Sequence, residues 1–187
     1  MKLHFFLFGL LLLSACNDDD AVGPDNLTDD ILNYDGDNVT SPQLGPGVYE
    51  LAARFTAEEL DPVRDKRLTG VRFFMGPRPA TLKVLVSGPG TATEPGNILF
   101  EFDLTNVSDI QEGAFNELQL PSPLVLPDEM WLSVEFEMDQ TGQNIGCDGG
   151  PADPNGDFIF DSNLGQWQTF RERTGESVNW NIRGILE

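Results

Sequence analysis

The segment Trp131-Leu132-Ser133-Val134-Glu135-Phe136-Glu137-Met138 alternates strictly, with Leu132, Val134, Phe136 and Met138 on one side and Trp131, Ser133, Glu135 and Glu137 on the other. Successive side chains of a strand point to opposite faces, so this pattern predicts a strand with one buried and one largely wet face. The same period recurs upstream. Leu82, Val84 and Val86 alternate with Thr81, Lys83 and Leu85, and Ile98, Phe100, Phe102 and Leu104 alternate with Leu99, Glu101 and Asp103. Further strands are expected over 48–55, 68–75, 116–120, 158–160, 167–171 and 179–186, with Gly, Pro, Asn and Asp at the turns between them. Apart from a short turn at 57–60, no stretch of ten or more residues carries a clean helical period. Pro121, Pro123 and Pro127 exclude a central strand where they fall, because proline cannot donate to a ladder. Eight or nine short antiparallel strands without a fixed repeat predict an all-β domain, a β-sandwich of jelly-roll type, with a single barrel as the alternative.

The chain opens differently. Lys2 is followed by an apolar run from Phe5 to Leu13, interrupted by Gly9, and then by Ser14 and Ala15, the layout of a secretory signal. About nine apolar residues rise only about 13 Å as a helix, too little to cross a hydrocarbon core of roughly 30 Å. Leu13-Ser14-Ala15-Cys16 resembles the lipobox of bacterial lipoproteins, which implies a lipid on the Cys16 thiol and cleavage just before it. Two or three acyl chains at about 0.8 kcal/mol per buried methylene would anchor the chain stably. Asn17, Asp18, Asp19 and Asp20 follow at once and resemble the export signal of Bacteroidota lipoproteins, implying the outer face of the outer membrane, with the periplasmic face as the alternative. The expected organisation is a signal peptide over 1–15, a lipidated cysteine and acidic flexible tether over 16–44, and a β-sandwich over 45–187. Ile31, Leu32 and Tyr34 within the tether are candidates for an edge strand docked on the domain.

Composition narrows the partners. Without residues 1–15 the chain keeps 10 basic and 31 acidic residues, a net charge near −21. A surface that acidic argues against nucleic acid, whose binding needs clustered Lys and Arg. Only Cys16 and Cys147 exist, so acylation of the first leaves no intramolecular disulfide, and Cys147 reads as a small packed side chain. The sole histidine, His4, lies in the expected signal peptide, so neither a His-dependent triad nor a His-ligated zinc site is expected.

The strings Ala53-Arg54-Phe55-Thr56, Leu68-Thr69-Gly70-Val71-Arg72-Phe73-Phe74, Met130-Trp131-Leu132, Cys147-Asp148-Gly149-Gly150-Pro151, Gly165-Gln166-Trp167 and Asn179-Trp180-Asn181-Ile182-Arg183 together resemble the accessory β-sandwich modules of Bacteroidota surface proteins. Such modules accompany peptidases or adhesin-like domains and are generally non-catalytic. The expected function is a binding or assembly module whose partner is a glycan or an envelope protein, with a small carboxylate-dependent hydrolase or a purely structural subunit of an envelope complex as the alternatives.

Three groups of residues could carry chemistry. Flat aromatic faces stack on sugar rings, which makes Trp131, on the polar face of its strand, and Trp167 the candidate ligand-binding residues, whereas Trp180 reads as core. Asp148, Asp153, Asn155, Asp157 and Asp161 form an oxygen-rich stretch that could wrap calcium, although its spacing is not that of an EF-hand and such residues also build tight turns. The pairs Glu135 with Glu137 and Glu58 with Glu59 could serve a carboxylate-dependent glycoside hydrolase, which needs two carboxyls about 5 to 9.5 Å apart across a cleft.

Overall fold

The computed structural model describes residues 30–187. The expected signal peptide, Cys16 and the acids directly behind it lie outside the described residues. Within them ten strands build two antiparallel sheets. The first, in spatial order, is β1 (Ile31–Leu32), β10 (Ile182–Leu186), β3 (Arg67–Met75) and β6 (Ala114–Val125). The second is β5 (Ile98–Asp103), β4 (Thr81–Ser87), β7 (Met130–Met138), β2 (Gly47–Phe55), β8 (Phe158–Asp161) and β9 (Gln166–Thr169). In chain order β1, β3, β6 and β10 fall in one sheet while β2, β4, β5 and β7 form the heart of the other. That interleaving is the jelly roll, to which β8 and β9 add a hairpin beside β2.

The alternation seen in the sequence sets the core. Leu51, Leu82, Val84, Leu132, Val134 and Phe136 of the six-stranded sheet meet Val71, Phe73, Met75 and Ile182 of the other, all nearly free of solvent. Gly184 lets the sheets approach closely: a Cβ there would stand 3.0 Å from Leu68 Cδ1 and 3.1 Å from Leu132 Cδ1. β6 runs through Pro121 and Pro123, and it can do so because it is an edge strand whose outer N–H groups need no partner.

Two expectations change. The docked edge strand expected at Ile31 and Leu32 is present as β1, and the rest of residues 30–44, expected as tether, packs on the sandwich with it. β1 pairs with β10, Leu32 is fully buried, and Cys147 N–H donates to the Thr40 carbonyl at 2.8 Å. Asp35 anchors this segment. Its carboxylate is buried against Arg183, with Nε at 2.9 Å and Nη2 at 2.8 Å, and takes a hydrogen bond from Asn181 Nδ2. An acid that looked like part of a solvated run is therefore an internal ion-pair partner, and the folded unit includes Asp30 onward.

The second change is that the strand expected over 167–171 stops at Thr169. The Thr169 hydroxyl accepts from Glu172 N–H and the Glu172 side chain accepts from Thr169 N–H, a capping box that opens α2 (Phe170–Thr174). The same device, Thr56 with Glu59, opens α1 (Ala57–Leu60), at the place where the sequence suggested a short turn. Gly175, at φ +81°, closes α2 in a left-handed conformation that glycine adopts at no steric cost.

Candidate functional site

Trp131 leaves the list of ligand-binding residues. It lies on the outer face of the six-stranded sheet, as its period requires, yet it is 0% exposed. The β8–β9 hairpin covers it: Phe158 packs at 4.8 Å between ring centroids and Trp167 at 6.1 Å. Its indole N–H donates to Glu129 Oε1 at 3.0 Å, and Glu129 in turn holds Arg54 at 2.7 Å, whose guanidinium lies 5.7 Å over the ring. Trp131 is thus the centre of a second, small core with Ala52 and Phe158. Trp180 is buried in the main core, as expected, with its N–H on the Phe158 carbonyl at 2.8 Å.

The oxygen-rich stretch is dispersed rather than convergent. Asp148 accepts from the N–H groups of Gly150 and Asn179 at 2.9 and 2.7 Å and from Asn179 Nδ2 at 2.9 Å. Asp153 accepts from Asn155 N–H, and Asp157 from Arg171 N–H, both at 2.9 Å. Asp161 pairs with Arg173 at 2.6 Å. The carboxylates go to different turns and arginines, the use that turn chemistry makes of Asp, although Asp157 Oδ1 is buried with no hydrogen-bond partner and only Arg171 Nη2 at 3.8 Å. Among the described residues no group of three or more His, Cys, Asp or Glu is arranged to hold a metal ion. Cys147 is buried, and burial pushes its thiol up to about 12, so it stays protonated at neutral pH and packs as a small side chain.

What the structure does assemble is a line across the outer face of the six-stranded sheet. Asp103, Lys83, Glu135, Glu50, Phe160 and Trp167 stand directly opposite one another on β5, β4, β7, β2, β8 and β9 in turn. One end is charged. Lys83 reaches Glu135 at 3.2 Å and Glu101 at 3.8 Å. The other end is aromatic, with Phe160 and Trp167 partly exposed and their ring centroids 5.8 Å apart.

Glu50 sits at the junction. Phe160 flanks it on one strand and Glu135 on the other, while Ser133 Oγ donates to its Oε1 at 2.5 Å. Burial, with the Glu135 charge adding, pushes its carboxyl up to about 7 against the opposing pull of Ser133 and Lys83. Trp167 was visible in the sequence as a candidate. Glu50, Phe160, Lys83 and Asp103 were not, because only cross-strand register brings them into line with it. Glu137, paired with Glu135 in the sequence reading, faces Val48 and Thr81 one pleat away.

No family model matches the chain, and no curated protein does. Among solved structures it is similar to a clostridial cysteine protease, Cwp84, after propeptide cleavage, with a TM-score of 0.57 and 12% sequence identity. The match covers 85% of this chain and 40% of that one, so the chain spans less than half the length of its structural neighbour. At that identity the likeness is one of fold.

Proposed function

We propose that this protein is a lipid-anchored envelope protein, of the Bacteroidota surface-module type, whose jelly roll binds neutral glycans along the outer face of the six-stranded sheet. The line from Asp103 to Trp167 is the observation that carries the reading. A sugar ring presents an apolar face of C–H groups and an equatorial rim of hydroxyls. The Phe160–Trp167 platform suits the first, and the carboxylates of Glu50 and Glu135 with the Lys83 ammonium suit the second. The platform is braced from beneath, since Trp167 rests on buried Trp131. Carboxylates outnumber the one ammonium in the line, which favours neutral over acidic glycans. The lipobox at Cys16 and the acids behind it support presentation at the outer membrane, facing outward.

The test is a glycan array with the purified protein, followed by titration of the best ligand against wild type and Trp167→Ala. Removing the platform should weaken binding about tenfold, from the loss of roughly 1.5 kcal/mol of ring stacking. A silent array, or a Trp167→Ala protein that binds as wild type does, overturns the proposal.

A second reading, hydrolysis of the bound glycan, is favoured by one specific observation. Glu50 and Glu135 are directly opposed neighbours, whose Cβ atoms lie about 4.5 to 5.5 Å apart in such a pair. A raised acid beside an ion-paired carboxylate is the arrangement of a retaining glycosidase. The pair lies on a sheet face, however, away from the cavities at 77–80 with 138–144 and at 55–62, and binding is the reading preferred. Release of reducing ends from an array hit, abolished by Glu135→Gln, would reverse that preference.

A further inference from the structure

At the end of the sandwich where β2 runs into α1, a groove of about 520 Å³ opens between that corner and the segment following β1. Its volume falls within the range of small-ligand sites. Tyr34 and Phe55 form its aromatic wall, stacked at 4.9 Å with planes 9° apart, and Pro62 extends the apolar surface. Phe55 is buried behind the Tyr34 ring, so partly exposed Tyr34 and exposed Pro62 carry the apolar surface that a ligand can meet. The Tyr34 hydroxyl donates to the Arg54 carbonyl, which fixes the ring in place before any ligand arrives.

The polar side of the groove is negative. Glu59 is held there by its capping box, accepting from Thr56 N–H at 2.7 Å, while Glu58 is exposed and free to swing. No Lys or Arg lines the groove. Three arginines are held by other groups: Arg64 donates to the Pro127 carbonyl at 2.8 Å, Arg54 pairs with Glu129, and Arg171 donates to the Ala152 and Asp153 carbonyls. The field is felt locally, since the Tyr34 hydroxyl is pushed well above the ordinary phenol range by burial and by the charges of Glu59 and Asp153.

We infer that this groove is a second binding site, one that takes the lysine or arginine side chain of a partner protein. The match is one of chemistry. Such a side chain has an apolar stem to lie on exposed Pro62 and the exposed part of the Tyr34 ring, and a cationic head to meet exposed Glu58. An uncharged apolar segment would satisfy the wall but leave the two carboxylates desolvated. An acidic segment is repelled.

The inference stands independently of glycan binding, and one experiment keeps the two apart. Amide NMR of the full protein is followed while Nα-acetyl-lysine-methylamide, its arginine counterpart and the neutral Nα-acetyl-norleucine-methylamide are added into the tens of millimolar. The lysine and arginine probes should shift the amides of Asn33, Tyr34, Phe55 and Glu58 saturably and leave Phe160 and Trp167 unmoved. Norleucine, which keeps the stem and loses the charge, should bind about fivefold more weakly, and Glu58→Gln should weaken the lysine probe by a similar factor. Equal binding of norleucine, unchanged binding in Glu58→Gln, absence of saturable shifts, or a neutral glycan that moves these same amides would each overturn the inference.

Discussion

Glu50 gives a quantitative check on the outer face of the six-stranded sheet. In the unfolded chain its carboxyl titrates near 4.5, whereas in the fold it is pushed up to about 7, chiefly by burial. A carboxyl whose folded value is raised destabilises the protein when ionised. Below pH 4.5 it is protonated in both states and contributes no pH dependence. Between 4.5 and 7 the folded state holds a proton that the unfolded state has released, so stability falls as pH rises, and above 7 the full cost is present. At 1.36 kcal/mol per unit that cost is about 3 kcal/mol. Glu50→Gln keeps the side chain's shape and an oxygen to accept from Ser133 while removing the charge. The variant should match wild type near pH 4.5 and exceed it by about 3 kcal/mol at pH 8, or roughly 6 to 12 °C in Tm. Asp153 and Asp157 are raised as well, and Asp103 and Glu172 lowered, but these shifts are common to both proteins and cancel in the difference. Urea titrations at half-unit pH steps, followed by the fluorescence of buried Trp131 and Trp180, would measure it. A gap that stays constant across the range, or one that closes as pH rises, refutes the desolvated junction and removes Glu50 from the proposed site.

The docked segment before β2 predicts that Asp35→Ala, which strands Arg183 in a half-buried position, costs about 3 kcal/mol in urea unfolding. A protein beginning at Gly45 should be less stable still, and equal stability of that shorter chain would return residues 30–44 to the role of tether. Cys16→Ser should move the protein from the membrane to the soluble fraction of fractionated cells, and unchanged partitioning would remove the lipid anchor from the proposal.

The parts of the fold legible in the sequence are those set by local alternation. β4, β5 and β7 fall within a residue of where the period places them, because a strand with one buried face must repeat every two residues. Capping was equally local. Thr169 and Glu172 stand three apart and mark a helix start, a signal that could have ended the strand expected through Arg171. Asp35 was illegible for a different reason: its partner, Arg183, lies 148 residues away, and a lone acid in an acidic run looks solvated until that partner is known.

Trp131 and Trp167 make the same point about the site. Period two placed Trp131 on the outer face, and it is there, but exposure is not a property of the strand that carries a residue. It depends on which neighbouring side chains cover it, here Phe158 and Trp167 from the hairpin beside β2 together with Arg54. Trp167 instead stands partly exposed at the end of the line, and its neighbours Phe160 and Glu50 follow from register alone. The hairpin therefore has two structural consequences at once. It helps Arg54 bury Trp131, and it carries an aromatic pair on the two strands beyond β2, level with the carboxylates of β2 and β7. A polar face of one sheet became a line of mixed chemistry because two strands were added at its edge, and the aromatic half of the proposed glycan site is what that addition brought into register.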